Sequence, residues 1–212
     1  MERVDALLHS AGVSFADRAR LVDLGCGPGN ISMRLAERWP ACSVLGLDAA
    51  KRMLAVADRR RRQAGLSAER LRYSEAVLPV HQIDQPAELI VSNSLLHHLH
   101  DPQQLWMSLR PLASARCLVL HRDLRRPCSE EALEVLCGTH VADAPAVLQR
   151  DYRASLYASF TPEEVKTQLS LSGLEDLQVV AVEDRYLEVS GWITGCQACL
   201  LYTSDAADEC DS

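Results

Sequence analysis

The segment Asp23-Leu24-Gly25-Cys26-Gly27-Pro28-Gly29-Asn30 limits the fold more than any other feature of this sequence. Leu21, Val22 and Leu24 run directly into Gly25, so a short apolar strand over residues 20–24 feeds a loop rich in glycine. Ile31, Leu35 and Trp39 follow at i, i+4 and i+8, the spacing of one helical face, until Pro40 ends the pattern. Asn30 is placed to cap that helix. Strand, tight loop and helix in immediate succession open a βα unit, and glycines there let the backbone approach a bound molecule with no Cβ in the way.

The alternation continues. Strands are predicted over residues 43–47, ending at Asp48, and over residues 71–74, 88–92 and 117–120, with a helix running to about Gln63 and stopping near Gly65. Another helix opens at Asp101-Pro102-Gln103-Gln104, read as a cap, an N1 proline and a capping-box glutamine, and Thr161-Pro162-Glu163-Glu164 repeats the device before Gly173. Residues 177–182 and 185–189 flank the two-residue connection Glu183-Asp184, a hairpin signal at the sheet edge. Repeated βα units predict the α/β class: a doubly wound, mostly parallel sheet with helices on both faces and an antiparallel C-terminal hairpin. Residues 127–159 are helical in pattern and sit where a lid would cover the strand ends.

A chain of 212 residues with 48% hydrophobic and 24% charged residues fits one domain with a packed core. The formal net charge of −7 gives no positive field toward nucleic acid or an anionic membrane. Arg59-Arg60-Arg61-Arg62 wraps around a helix and reads as a solvated face. No run approaches the length of a membrane span and no signal peptide opens the chain, so a cytoplasmic protein is expected. The eight cysteines are scattered, and Cys196 and Cys199, spaced like a metal pair, lack a second pair, so reduced thiols and no metal are expected.

The tail is a separate matter. Residues 199–209 resemble, residue for residue, the conceptual translation of a transposon-end adapter used in sequencing libraries. Residues 1–198 are therefore expected to be the domain, and residues 199–212 an artefactual or disordered tail. Without that tail and its four acids the net charge is −3. Only 19 residues precede the first predicted strand, and the chain is read as a possible fragment.

The glycine loop and its neighbours resemble the class I S-adenosylmethionine-dependent methyltransferases over residues of about 20–191. The first motif of that family is an acid followed by G-x-G-x-G between the first strand and helix, here Asp23 with Gly25, Gly27 and Gly29. Asp48 ends strand two, Glu75 follows strand three, and Ser92-Asn93-Ser94-Leu95-Leu96-His97-His98-Leu99 follows strand four. The resemblance implies a Rossmann-like sheet, S-adenosylmethionine as cofactor and methyl transfer to a small-molecule acceptor.

The acid separates this reading from its rival. A dinucleotide presents a pyrophosphate to the helix start, whereas S-adenosylmethionine carries an ammonium and a sulfonium, which Asp23 suits. The dinucleotide fingerprint also wants glycine where Asn30 stands. A nucleotide-dependent oxidoreductase and a non-catalytic binding module remain the alternatives. Asp23, Gly25, Cys26, Gly27, Gly29, Asp48, Glu75, Ala76 and Asn93 are the expected cofactor residues, with Asp48 as acceptor of ribose hydroxyls or as a helix cap. His97 and His98 are candidate general bases, of which one at most points into the pocket. Asp123, Arg126, Tyr152 and Arg153 are expected at the acceptor.

Overall fold

The computed structural model describes residues 1–16 and 18–195, so the Cys196 and Cys199 pair and the tail lie outside the described residues. The elements are α1 (Glu2–Ser10), β1 (Arg20–Leu24), α2 (Asn30–Arg38), β2 (Ser43–Asp48), α3 (Lys51–Gln63), β3 (Leu71–Glu75) and β4 (Ala87–Asn93). They continue with a single 3-10 turn (Leu96–His98), α4 (Gln103–Leu112), β5 (Ala113–Leu124), α5 (Glu130–His140), α6 (Ala146–Ala158), α7 (Pro162–Leu171), β6 (Gln178–Val182) and β7 (Tyr186–Ile193). The sheet has the order β3-β2-β1-β4-β5-β7-β6, parallel from β3 through β5 and antiparallel at β7 and β6. This is the doubly wound, mostly parallel α/β sheet expected, with its antiparallel hairpin at one edge.

Strand side chains alternate between faces, and the cores follow that alternation. Val22 and Leu24 of β1, Ile90 of β4 and Val119 of β5 pack with Leu105, Trp106 and Leu109 of α4 and Val165 and Leu169 of α7. Leu21, Leu89, Val91 and Leu118 face the other way, onto Val4 and Leu8 of α1 and Leu35 and Ala36 of α2. The chain reverses direction through the sheet between β1 and β4, and a crevice at the carboxyl ends of such strands is where doubly wound folds bind ligands. A third cluster joins Leu133 and Leu136 of α5 and Leu156 of α6 to Leu124 and Tyr186, seating the expected lid at the carboxyl end of β5. Helix α6 also lies against the 3-10 turn.

Several local expectations change. Gly29, at φ 83, is the N-cap of α2, and the Asn30 side chain accepts a hydrogen bond from Arg60 (2.7 Å) instead of capping. At α4, Pro102 is the N-cap; Asp101 accepts from the Gln103 N–H (3.0 Å), but no box forms with Gln104, whose N–H donates to the Asp101 carbonyl (3.3 Å). The box does form at α7, where Thr161 and Glu164 exchange bonds. Helix α1 was not expected; its buried Val4 and Leu8 stand at i and i+4, with Leu7 partly buried beside them. Strand β5 runs well past the predicted 117–120, because β7 pairs along it from Cys117 to Leu124 and buries polar residues that read as loop.

Candidate cofactor and acceptor site

The glycine loop is tied to the end of β2 before any ligand is considered. The N–H groups of Gly25 and Cys26 both donate to the Leu47 carbonyl (2.8 and 3.0 Å). Asp48 accepts from the Gly27 N–H (2.8 Å) with one oxygen and from the Ala50 N–H (2.7 Å) with the other. It therefore orders both the loop and the turn into α3 and keeps lone pairs for a further donor, since a carboxylate has about four. Gly27, at φ 52, has nothing within 4 Å of where a Cβ would stand, so its side of the loop opens onto free space. At Gly29 a Cβ would collide with the hydroxyl of Tyr73, which lies beneath the loop.

Beneath the loop sits a buried polar group. Asp23 is 1% exposed and accepts from the Ser32 hydroxyl (2.6 Å). Burial pushes its carboxyl up to about 7, against the Ser32 bond. The Tyr73 hydroxyl is buried with no hydrogen-bond partner among the described residues. Neither Ser32 nor Tyr73 was found from the sequence; the signal for Ser32 was its place on the face of α2 that also carries buried Leu35 and Ala36.

A cavity of about 180 Å³ runs along the carboxyl ends of the central strands, lined by Gly25, Asp48, Ala76, Val80, Leu95 and Gln104 among others. Its walls are mostly apolar with a carboxylate at one edge, a composition suited to a flat heterocycle and a diol. Glu75 is the last residue of β3, in register with Asp48, and pairs with Lys51 at 3.3 Å on the surface. Asn93, at the exposed end of β4, donates to the Ser94 hydroxyl (3.1 Å).

The histidines are separated by what holds them. The His97 side chain is buried, with Nδ1 2.5 Å from Asp123 Oδ1, while His98 is exposed and stacks on it with ring centroids 4.0 Å apart. Asp123 also accepts from the N–H groups of Leu96 and Leu124 (both 2.7 Å). Burial raises Asp123, but His97 and nearby His121 outweigh it, and its carboxyl lies below the ordinary carboxylate value. His121 is fully enclosed, edge-on to Trp106, and burial lowers it as burial also lowers His98. Asp123 is thus turned inward at 1% exposure, against the expectation that it meets an acceptor.

The other three expected acceptor residues are likewise engaged within the chain. Arg126 donates to the Ser159 carbonyl (2.9 Å) and to Glu164 (2.8 Å). Arg153 forms a two-pronged pair with Glu134, clasping α6 to α5. Tyr152 packs in the cluster under those helices, its hydroxyl buried and unpartnered. Among the described residues no group of His, Cys, Asp and Glu side chains is arranged to hold a metal, and no helix is long and apolar enough to cross a membrane.

Residues 21–112 match the family model described as a methyltransferase domain. Over that segment the chain is similar to methyltransferase domains, and its sheet has the fold of the class I S-adenosylmethionine-dependent enzymes. The chain is 41% identical over 83 residues to trans-aconitate 2-methyltransferase of Streptomyces coelicolor, covering 38% of this chain and 26% of that one. It is 37% identical over 131 residues to the protein of the same name from Methylobacterium nodulans, covering 57% and 48%. The chain spans about a quarter to a half of the length of these curated relatives. Its fold matches a SAM-dependent methyltransferase from Aquifex aeolicus with a TM-score of 0.62 at 15% identity, covering 90% of this chain and 89% of that one. It also matches the plantazolicin methyltransferase BpumL, solved with a substrate analogue and SAH, with a TM-score of 0.64 at 14% identity, covering 84% and 77%.

Proposed function

We propose that this protein transfers a methyl group from S-adenosylmethionine to a small-molecule acceptor, as a cytoplasmic enzyme whose working unit is residues 1–198. The observation that carries the reading is the join between the glycine loop and Asp48, which puts Gly25 of the loop and spare carboxylate lone pairs of Asp48 in the wall of one cavity. When bound, the cofactor supplies an activated methyl on a sulfonium, so the protein needs mainly to bind, orient and exclude water. In this reading Asp48 accepts from the ribose hydroxyls, Ala76 and its neighbours wall the adenine, and Asp23, with Gly25, Cys26 and Gly29 above it, offers negative charge to the amino acid end. Glu75 and Asn93 flank that cavity at the ends of β3 and β4.

On the acceptor side, His97 is the candidate general base and Asp123 its positioning residue, holding Nδ1 so that the other ring nitrogen is the one left to exchange a proton. His98, exposed beside it, is the second candidate. The lid helices α5 and α6 cover this end, and the relatives' name makes trans-aconitate the first acceptor to assay.

Calorimetry with S-adenosylhomocysteine and with NAD tests the binding half. Tighter binding of S-adenosylhomocysteine is expected, and tighter NAD would overturn the reading in favour of a dinucleotide enzyme. Incorporation of labelled methyl into trans-aconitate or a metabolite pool tests the transfer half. Binding with no incorporation into any pool would leave a binding module in place of an enzyme.

A further inference from the structure

The amino ends of β1 and β3, opposite the glycine loop, concentrate positive charge. Arg18, Arg20, Arg70 and Arg72 line one cavity of about 500 Å³. Arg20 is only 8% exposed, although arginine normally reaches into water. Its guanidinium donates to Gln85 (3.0 Å) and lies 3.8 Å from Asp84, yet its Nε is buried with no partner among the described residues. Arg72 takes the other oxygen of the same Asp84 at 2.6 Å. Arg70 donates to the Ala36 carbonyl (2.6 Å) and has no acid, and its Nε is also buried and unpartnered. Arg18 stands at φ 67, its N–H bound to the Ala41 carbonyl (2.9 Å), with an exposed side chain that bonds to nothing among the described residues.

Among the described residues, two arginines thus share one aspartate and two have no acid partner. Glu69, also in the wall, turns its carboxylate to the Ser67 hydroxyl (3.4 Å). Burying guanidinium groups with spare donors is unfavourable unless an acceptor completes them. The planar fork of arginine matches phosphate and carboxylate oxygens, and the cavity is of small-ligand size. A folded core gains nothing from holding Arg18 in a left-handed conformation at its rim, where a non-glycine residue is disfavoured. Burial, and the nearby Arg72, lower Arg20 against the pull of Asp84, as a cation short of counter-charge would be.

We propose that this cavity is a second binding site, for a small anion bearing two or more phosphate or carboxylate groups. It shares no lining residue with the cavity at the glycine loop. The two lie at opposite ends of β1, roughly 15 Å apart for a strand of this length. An anion bound there would tie together the starts of β1 and β3 from a distance, leaving the cofactor cleft free.

Titration calorimetry on the full chain with inorganic pyrophosphate, and separately with citrate, tests the site. One-to-one binding of at least one of them is expected, weakening as salt rises. Pyrophosphate alone assigns the site to phosphates, citrate alone to polycarboxylates, and both support the proposal. Arg18→Ala and Arg72→Ala should each weaken binding by about tenfold, on the strength of a charge-assisted bond. Arg18→Ala breaks no side-chain bond among the described residues, so it remains the deciding variant if Arg72→Ala unfolds. The affinity for S-adenosylhomocysteine should not change in Arg18→Ala. Absence of binding by either anion, or undiminished binding in Arg18→Ala, would overturn the site.

Discussion

The segment of residues 21–112, which carries the glycine loop, and the segment that follows meet across the carboxyl ends of the strands, and they hold their candidate site atoms by different means. In the first half the groups that matter are backbone N–H groups, an open glycine face and carboxylates anchored to backbone, as Asp48 is to Gly27 and Ala50. In the second half every acceptor candidate is a side chain bonded to or packed against another part of the chain: Asp123 to His97, Arg126 to Glu164, Arg153 to Glu134. A site made of backbone needs glycine at fixed spacing and so leaves a motif. A site made of pairwise contacts between distant residues leaves none, and the family model matches only the first half.

The comparison breaks most readily at Gly27. Gly27→Val fills the open side of the loop and strains a φ of 52, so S-adenosylhomocysteine affinity should fall by more than about a hundredfold in calorimetry, with the helical spectrum retained. Unchanged affinity would move the cofactor site elsewhere.

Next comes the link that joins the halves. Asp123→Asn keeps the shape of the side chain but gives up the charge that fixes His97. Turnover of an identified acceptor should fall by about a hundredfold, the lower range for a lost proton-transfer contribution, with S-adenosylhomocysteine affinity within about twofold of the original. A matching loss from His97→Gln, and a pH profile that shifts in Asp123→Asn, would separate positioning from mere structure. Equal turnover in all three proteins would remove His97 from the chemistry.

A smaller effect sharpens the reading of the first half. The folded carboxyl of Asp23 sits near 7, above its ordinary value of 3.8, so the unliganded fold holds a proton that the unfolded chain has lost. Stability from this group is therefore present at low pH and is lost as pH rises from about 4 through about 7. A ligand ammonium that prefers the ionised form reverses that loss. Affinity for S-adenosylhomocysteine should rise by about tenfold from pH 6 to pH 8, with a proton released on binding. Asp23→Asn should flatten the dependence, and a flat profile in the original protein would separate Asp23 from the ligand.

The smallest effect belongs to the lid. Arg153→Ala removes an exposed ion pair between α5 and α6, so Tm should drop by a few degrees at most and turnover should stay within about twofold. A large loss of turnover would return Arg153 to the acceptor.

The fold was legible where local chemistry and tertiary context agree. Gly25, Gly27 and Gly29 announce the first βα unit, Thr161 and Glu164 form the box their spacing predicts, and the C-terminal hairpin forms, although its connection is three residues, 183–185, and not two. Legibility ended where a distant partner decides. Asn30 has the chemistry of a cap, but Gly29 takes the left-handed position and Arg60 captures the amide. His121 and Asp123 read as a loop leaving β5, and only the insertion of β7 beside that strand makes them interior. Tyr73 lies beneath Gly29 because β2 and β3 pair in parallel, which no spacing in the sequence records.

The place of β7 between β5 and β6 has a consequence for synthesis. On the ribosome β5 emerges early and can join β4 at once, but its other edge must wait until α5, α6, α7 and β6 have all been made. At about 5–20 residues per second that wait lasts several seconds. Throughout it, the row of N–H and C=O groups from Cys117 to Leu124 stands open to any strand nearby, the hazard that leads to aggregation. The nascent chain therefore passes through a sticky intermediate that the finished molecule conceals, and the amount recovered in soluble form should depend on how quickly β7 arrives to close the sheet.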